Sequence, residues 1–174
     1  MDEVPSKCVV TLSGGKGKMI CVKFSNCAGN KLAALDDDSN ILIWQLSKRP
    51  HNLNVFALHV KLETEITSDR TIGCLNWSNS SDRWLVTGSN DDTLTKIWDA
   101  NSGKEVCFLR ESSSTAFGAK INAVCFSHDD SRVFTLVAVH ELHVWNLKET
   151  VSIVFTDALS LKAECFQKID TLYN

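Results

Sequence analysis

A chain of 174 residues that is 44% hydrophobic and 22% charged can bury a core of ordinary globular size. Its net charge of −3 is not the basic excess that non-specific nucleic-acid binders carry, so nucleic acid is not indicated as a partner. No apolar run approaches the roughly 18 residues of a membrane span, and Met1-Asp2-Glu3-Val4-Pro5 lacks the basic and apolar regions of a secretory signal. The seven cysteines form no CxxC, and most fall inside predicted strands. Reduced, buried thiols in the cytoplasm or nucleus are expected, and no membrane partner. Asn79-Ser80-Ser81 is formally a glycosylation sequon, but it carries little weight without a secretory signal.

In chain order, a leading strand is expected at 8–12, followed by three similar units. In the first, strands a to d fall near 20–25, 31–35, 41–44 and 54–60. In the second they fall near 72–78, 84–88, 94–99 and 105–109, and in the third near 122–127, 133–138, 142–146 and 151–155. A trailing run at 163–167 has no complete unit of its own. Turn clusters such as Ser78-Asn79-Ser80-Ser81-Asp82 bound the apolar runs. No window shows helical periodicity. Two polar stretches, 47–53 with 61–71 and 111–120, are expected to be surface loops.

The three units end alike. An aromatic-Ser pair, Phe24-Ser25, Trp77-Ser78 and Phe126-Ser127, closes one apolar run, and Trp44, Trp98 and Trp145 close another 20, 21 and 19 residues after the aromatic. Self-similarity at roughly 40–50 residues points to a propeller or solenoid. Alternation places Ile20, Val22 and Phe24 on one sheet face and Cys21, Lys23 and Ser25 on the other.

The pattern resembles the WD40 repeat. Trp98-Asp99 is the literal Trp-Asp pair, with Trp44-Gln45 and Trp145-Asn146 as variants. The second unit, Trp84 through Asp99, is the strongest match, and the third is degraded but in register. The resemblance covers residues 8 to about 155 and sets repeats at about 13–46, 66–99 and 116–147, with 156–174 as the start of a further blade or a tail. It implies an all-β propeller of about three blades, incomplete or open, across 1–174. In such a fold both faces of each blade are largely buried, with the repeat Trp between blades. The resemblance also implies a structural Asp in the turn between strands b and c. Asp38 occupies that place in the first unit. In the second it is Asp91 if the strand carries a one-residue bulge, otherwise Asp92. The third has Val139-His140-Glu141 there, and the family's Gly-His is missing throughout, so the polar network is expected to be incomplete.

Other constellations carry no chemistry. Gly14-Gly15-Lys16-Gly17-Lys18-Met19 lacks the Lys-Ser/Thr order and the following helix of a phosphate loop. Asp36-Asp37-Asp38 lacks the spacing of a calcium loop and reads as a solvated turn plus the structural Asp38. His140 and His143 are three apart on a strand and face opposite sides, and His128 has no partner at metal-ligand spacing. No nucleophile motif frames any Ser, His or Asp. No catalytic residue, cofactor or metal is therefore expected. Trp77 replaces the usual Phe and reads as core. Trp84 opens strand b and is the candidate binding tryptophan.

The resemblance implies a non-catalytic protein-interaction scaffold, a subunit of an intracellular multiprotein complex. Residues 54–91 also resemble, loosely, the amino-terminal propeller of periodic tryptophan proteins, which implies ribosomal RNA processing. An enzyme with an unrecognised site is the third reading. Closed propellers need at least about four blades. Three leave two faces open, so the chain is expected to be a fragment or shortened isoform, or to be closed by another chain.

Overall fold

The computed structural model describes residues 10–51, 55–110, 119–138, 141–147, 162–163 and 165–170. Side chains are described for all of these except 48–51, 55–58 and those beyond 147. Eleven strands build three consecutive antiparallel sheets. The first contains β1 (Met19–Phe24), β2 (Lys31–Asp36), β3 (Asn40–His51) and β4 (Val55–Thr67). The second contains β5 (Ile72–Trp77), β6 (Trp84–Ser89), β7 (Thr95–Asp99) and β8 (Lys104–Leu109). The third begins with β9 (Ile121–Phe126), β10 (Arg132–Val137) and β11 (Glu141–Asn146). Two later strands add to these sheets. Lys162–Ala163 (β12) runs parallel to β8, and Cys165–Asp170 (β13) pairs antiparallel with β11.

Each sheet is a meander of short strands joined by tight turns, as the turn clusters predict. The backbone repeats as well as the sequence does. In β1, β5 and β9 the pairing skips one residue near the strand start, at Ile20, Gly73 and Asn122. The fourth strand skips a residue opposite each repeat Trp: Glu63 on β4, Val106 on β8 and residue 166 on β13. Such bulges raise local twist, and here two recur at matching places in every blade.

Several expectations need correction. The stretch 61–67 is not loop: β3 and β4 extend as a ribbon pairing Asn40 with Thr67 through His51 with Val55. The alternation Val60, Leu62, Thr64, Ile66 was the overlooked strand signal, and hydrogen bonding to β3 satisfies the backbone of this otherwise polar segment. Residues 10–12, in the expected leading strand, belong to no strand. The run expected to open a further unit instead supplies the fourth strand of the third sheet, because the unpaired edge of β11 takes it. The strand expected at 151–155 lies outside the described residues, as does most of the 111–120 connection.

The core lies between the sheets. Ala33, Leu35, Ile41, Ile43 and Ile66 of the first blade pack against Leu75, Trp77, Leu85 and Trp98 of the second. Val86, Ile97, Cys107 and Leu109 of the second pack against Val124, Phe126, Val133 and Trp145 of the third. Register explains which side chains meet. Trp77, Leu85 and Trp98 are partners across three strands and share one face, as do Phe126, Val133 and Trp145. In both blades the aromatic–aliphatic–Trp row faces the preceding blade.

Candidate interaction surfaces

The repeat tryptophans are structural in the second and third blades. Trp98 Nε1 donates to Thr87 Oγ1 at 2.8 Å, and Trp145 Nε1 donates to Thr135 Oγ1 at 2.9 Å. Across from Thr87 stands Lys96, only 8% exposed, with its ammonium 5.4 Å from the Trp98 ring centroid. Lys96 Nζ pairs with Asp69 at 2.6 Å and Glu105 at 2.7 Å. Burial alone would push the Lys96 pKa down, but the bonds to Asp69 and Glu105 outweigh it and raise the pKa. In the third blade His143 takes this place, fully buried, edge-on to Trp145 and 3.2 Å from Glu141 Oε2. The first blade has Ala34 and Leu42 at the equivalent positions, so the row around Trp44 is wholly apolar.

The turn acids are arranged differently from expectation. In the first blade the b–c turn bonds converge on Asp36, not Asp38. Asp36 is buried and accepts from Asn40 N at 2.8 Å, from Asn40 Nδ2, and from Gly17 N at 3.2 Å. Asp38 lies two residues on, where the turn swings its side chain to solvent. In the second blade β7 carries no bulge against β6, so Asp92 takes the turn position in place of Asp91. Asp92 Oδ1 accepts from Leu94 N at 3.0 Å and Oδ2 from Arg110, while Asp91 is exposed. Asp99, the literal Trp-Asp acid, accepts from Arg83 Nε and Nη2 at 3.1 and 2.9 Å and from Asn101 N. Arg83 in turn lies 4.5 Å over the ring of Trp84. The candidate binding tryptophan is thus half-buried under a guanidinium and packed against the second-to-third blade core. Of the metal candidates, His140 lies outside the described residues. No group of three or more His, Cys, Asp or Glu among the described residues could hold a metal ion.

Two surfaces stand out. One is a rim cleft at the seam of the first and second blades, lined by Asp37, Asp38, Ser39, Ser68, Asp69 and Arg70 with Thr71. Its walls are tied together: Ser39 Oγ accepts from Ile72 N at 2.9 Å, and Ser68 N donates to Ser39 O. Asp37 and Asp38 present their side chains to solvent at this seam.

The other is the outer face of the first blade. Phe24, Leu32 and Trp44 form the same three-strand row that faces the preceding blade elsewhere. Phe24 is 59% exposed, where its equivalents Trp77 and Phe126 are 0% and 7% exposed. Val22 is also 59% exposed, and Met19, Ile20 and Leu62 are exposed beside it. This face is open, as expected for three blades, because no blade precedes this one among the described residues. Leu12 packs against the buried cluster of Leu32, Ala34, Leu42 and Trp44. The thiols also differ in exposure. Cys107 is buried and its pKa is pushed up to about 12, and Cys74 up to about 11, while Cys27 and Cys125 are exposed.

The turns between strands a and b also join the blades, and sequence reasoning missed them. Asn26 Nδ2 donates to Trp77 O at 3.2 Å, and Ala28 N donates to the Asp82 carboxylate at 3.1 Å. One blade on, Asn79 Nδ2 donates to Phe126 O and Ser127 O. Asp130 accepts from Ser78 Oγ at 2.6 Å, from Asn79 N and Ser80 N at 2.8 Å, and from Ser80 Oγ. Burial raises the Asp130 pKa, but the bonds from Ser78 and Ser80 prevail and hold it below the usual carboxylate range.

No family model and no curated protein matches this sequence. Solved structures do. The C-terminal WD40 domain of Sif2 superposes with a TM-score of 0.62 at 16% identity, over 93% of this chain and 39% of that one. The WD40 domain of Toxoplasma gondii coronin superposes with a TM-score of 0.58 at 14% identity, over 75% of this chain and 31% of that one. The fold is therefore that of a partial WD40 propeller. The chain spans well under half the length of either matched structure.

Proposed function

We propose that the chain is a protein-interaction scaffold, a WD40-type subunit of an intracellular multiprotein complex. The observation that carries this reading is the cross-bonded seam at the first and second blades, where a fixed backbone presents Asp37, Asp38 and Arg70 beside a cleft. Rigid strands hold these loops in place, so a partner pays little ordering entropy on the scaffold side. The cleft suits a polypeptide segment that brings a basic side chain to Asp37 and Asp38 and an acceptor to Arg70. The ribosome-biogenesis reading rests on sequence resemblance alone.

The test is affinity capture with the tagged chain, followed by crosslinking to map contact sites. A stoichiometric partner crosslinked near 37–39 and 68–71, and lost on the double change Asp37→Lys and Asp38→Lys, supports the reading. A partner insensitive to that change places the binding elsewhere and overturns the assignment to this seam.

A further inference from the structure

We infer that the open outer face of the first blade is a docking surface for the third blade of a second copy of this chain. The two three-blade units then close head-to-tail into one ring.

The internal repeat defines what such a face takes. The rows Trp77–Leu85–Trp98 and Phe126–Val133–Trp145 are each covered by the opposite face of the preceding blade. That covering face comes from Ala33, Ile41 and Ile43 in one junction and from Val86, Ile97 and Cys107 in the other. Phe24–Leu32–Trp44 is the third such row; Leu32 and Trp44 are buried within the chain, while Phe24, with Val22 and Ile20 along its strand, lacks a cover. The third blade carries the third covering face. At the places of Val86 and Ile97 it has Phe134 and Val144, flanked by Ala123, Cys125, Leu136 and Leu142. Phe134 and Leu136 are half-buried, and Ala123 and Cys125 are exposed. The described blades thus present an apolar face of each kind, with Leu32, Trp44 and Val144 buried and Phe24, Val22, Ala123 and Cys125 open. The three described blades fall below the roughly four that closure needs, whereas two copies make six. The interface is heterologous but is closed by a two-fold axis, so it ends in a dimer and not in a fibre.

The turns of these two faces also fit each other. Asn26 and Asn79 each donate to a carbonyl at the end of the next blade's first strand. His128 holds the same place in the third blade, and the Phe24 carbonyl is the matching acceptor on the first. Asp82 accepts from the uncharged Ala28, and Asp130 from the uncharged Ser78, Asn79 and Ser80, in the turn of the preceding blade. The outgoing turn of the third blade is itself acidic at exposed Asp129, and the first blade has Gly29 where the others have Asp82 and Asp130. A carboxylate there would oppose Asp129. Gly29 leaves that repulsion out of this pairing.

Sedimentation analysis of the whole chain over a range of concentrations tests the inference. The expected species has twice the 19.3 kDa chain mass and dissociates on dilution. Val22→Asp puts a charge into the patch without touching the buried core and is expected to raise the dimer Kd at least about tenfold. Gly29→Asp is expected to weaken it about threefold, more at low salt. Gly29 has φ 62°, a left-handed conformation that Asp130 also adopts at φ 53° and that Asp tolerates at a small cost. Cys74 Sγ lies 3.8 Å from Ile121 O, and the equivalent pair across the new junction is Ala123 and Met19. Cysteines at both places should give a 19–123 disulfide between chains. A monomer at every concentration overturns the inference. So does a dimer unaffected by Val22→Asp, or one crosslinked 19 to 19.

Discussion

The first and second blades carry the same row of side chains in opposite surroundings. Trp77, Leu85 and Trp98 lie under the first blade, and the Trp77 indole donates to Lys23 O at 3.0 Å. Phe24 and Leu32 occupy the matching places, yet Phe24 faces solvent. Trp44 remains 4% exposed, the same as Trp98, because Leu46 and Val60 of its own blade and Leu12 cover it. The first blade with Leu12 therefore buries its repeat Trp without a preceding blade, whereas the aromatic of its first strand needs one. Trp98 and Trp145 do pack into the junctions, but Trp44 is buried without a preceding blade and Phe24 is not.

The sharpest way to break this comparison is to remove the two aromatics in turn. Trp77→Ala is expected to cost about 3–5 kcal/mol, since it opens a cavity in a filled junction and strands the Lys23 carbonyl. Phe24→Ala, in dilute chain, should cost under about 1.5 kcal/mol, because most of that ring is already in water. Urea unfolding midpoints would show the gap, and equal losses would mean that the first face is covered in solution.

The polar clamp between the second and third blades comes next. Asp130→Asn keeps shape but gives up the charge that receives four hydrogen bonds, and should cost about 1–2 kcal/mol at neutral pH. A smaller loss, about 1 kcal/mol, is expected for Thr135→Val, which leaves the buried Trp145 indole without its acceptor. The same change at Ala34 has no counterpart, since the first blade lacks that bond.

The smallest effect is in acid. The folded-state pKa of Asp130 is lowered, so its contribution is complete above the unfolded carboxylate pKa of about 4 and fades as pH falls through the folded value. The difference between the wild type and Asp130→Asn should therefore shrink below about pH 4, as followed by thermal unfolding at successive pH values. A difference that holds constant to pH 2 would show that the clamp does not depend on charge.

Much of the architecture is legible in the sequence because it lies in local pattern. The strands of the second blade fall within a residue of expectation, and three aromatic-Ser and Trp spacings suffice to place the sheets. The polar network is less legible. Thr87 and Thr135 stand 11 and 10 residues before their Trp, where the first unit has Ala34. That spacing becomes a hydrogen bond only once strand register aligns the two strands. Asp36 was passed over for Asp38 because adjacent acids in one turn differ only in which of them points inward. Asp82 and Asp130 look like ordinary turn residues until the neighbouring blade brings donors to them.

The sequence by itself determined the unit: its strand period, its closing tryptophan and its number of repeats, all consequences of alternation and turn chemistry along a short stretch of chain. Only the tertiary structure decided which face of each unit is interior. Burial of a strand face depends on whether another sheet lies about 10 Å away, and no residue in the strand encodes that. Phe24 and Phe126 have the same residue type and the same place in their repeats, but one is 59% exposed and the other 7%, because one blade has a predecessor in the described chain and the other has none.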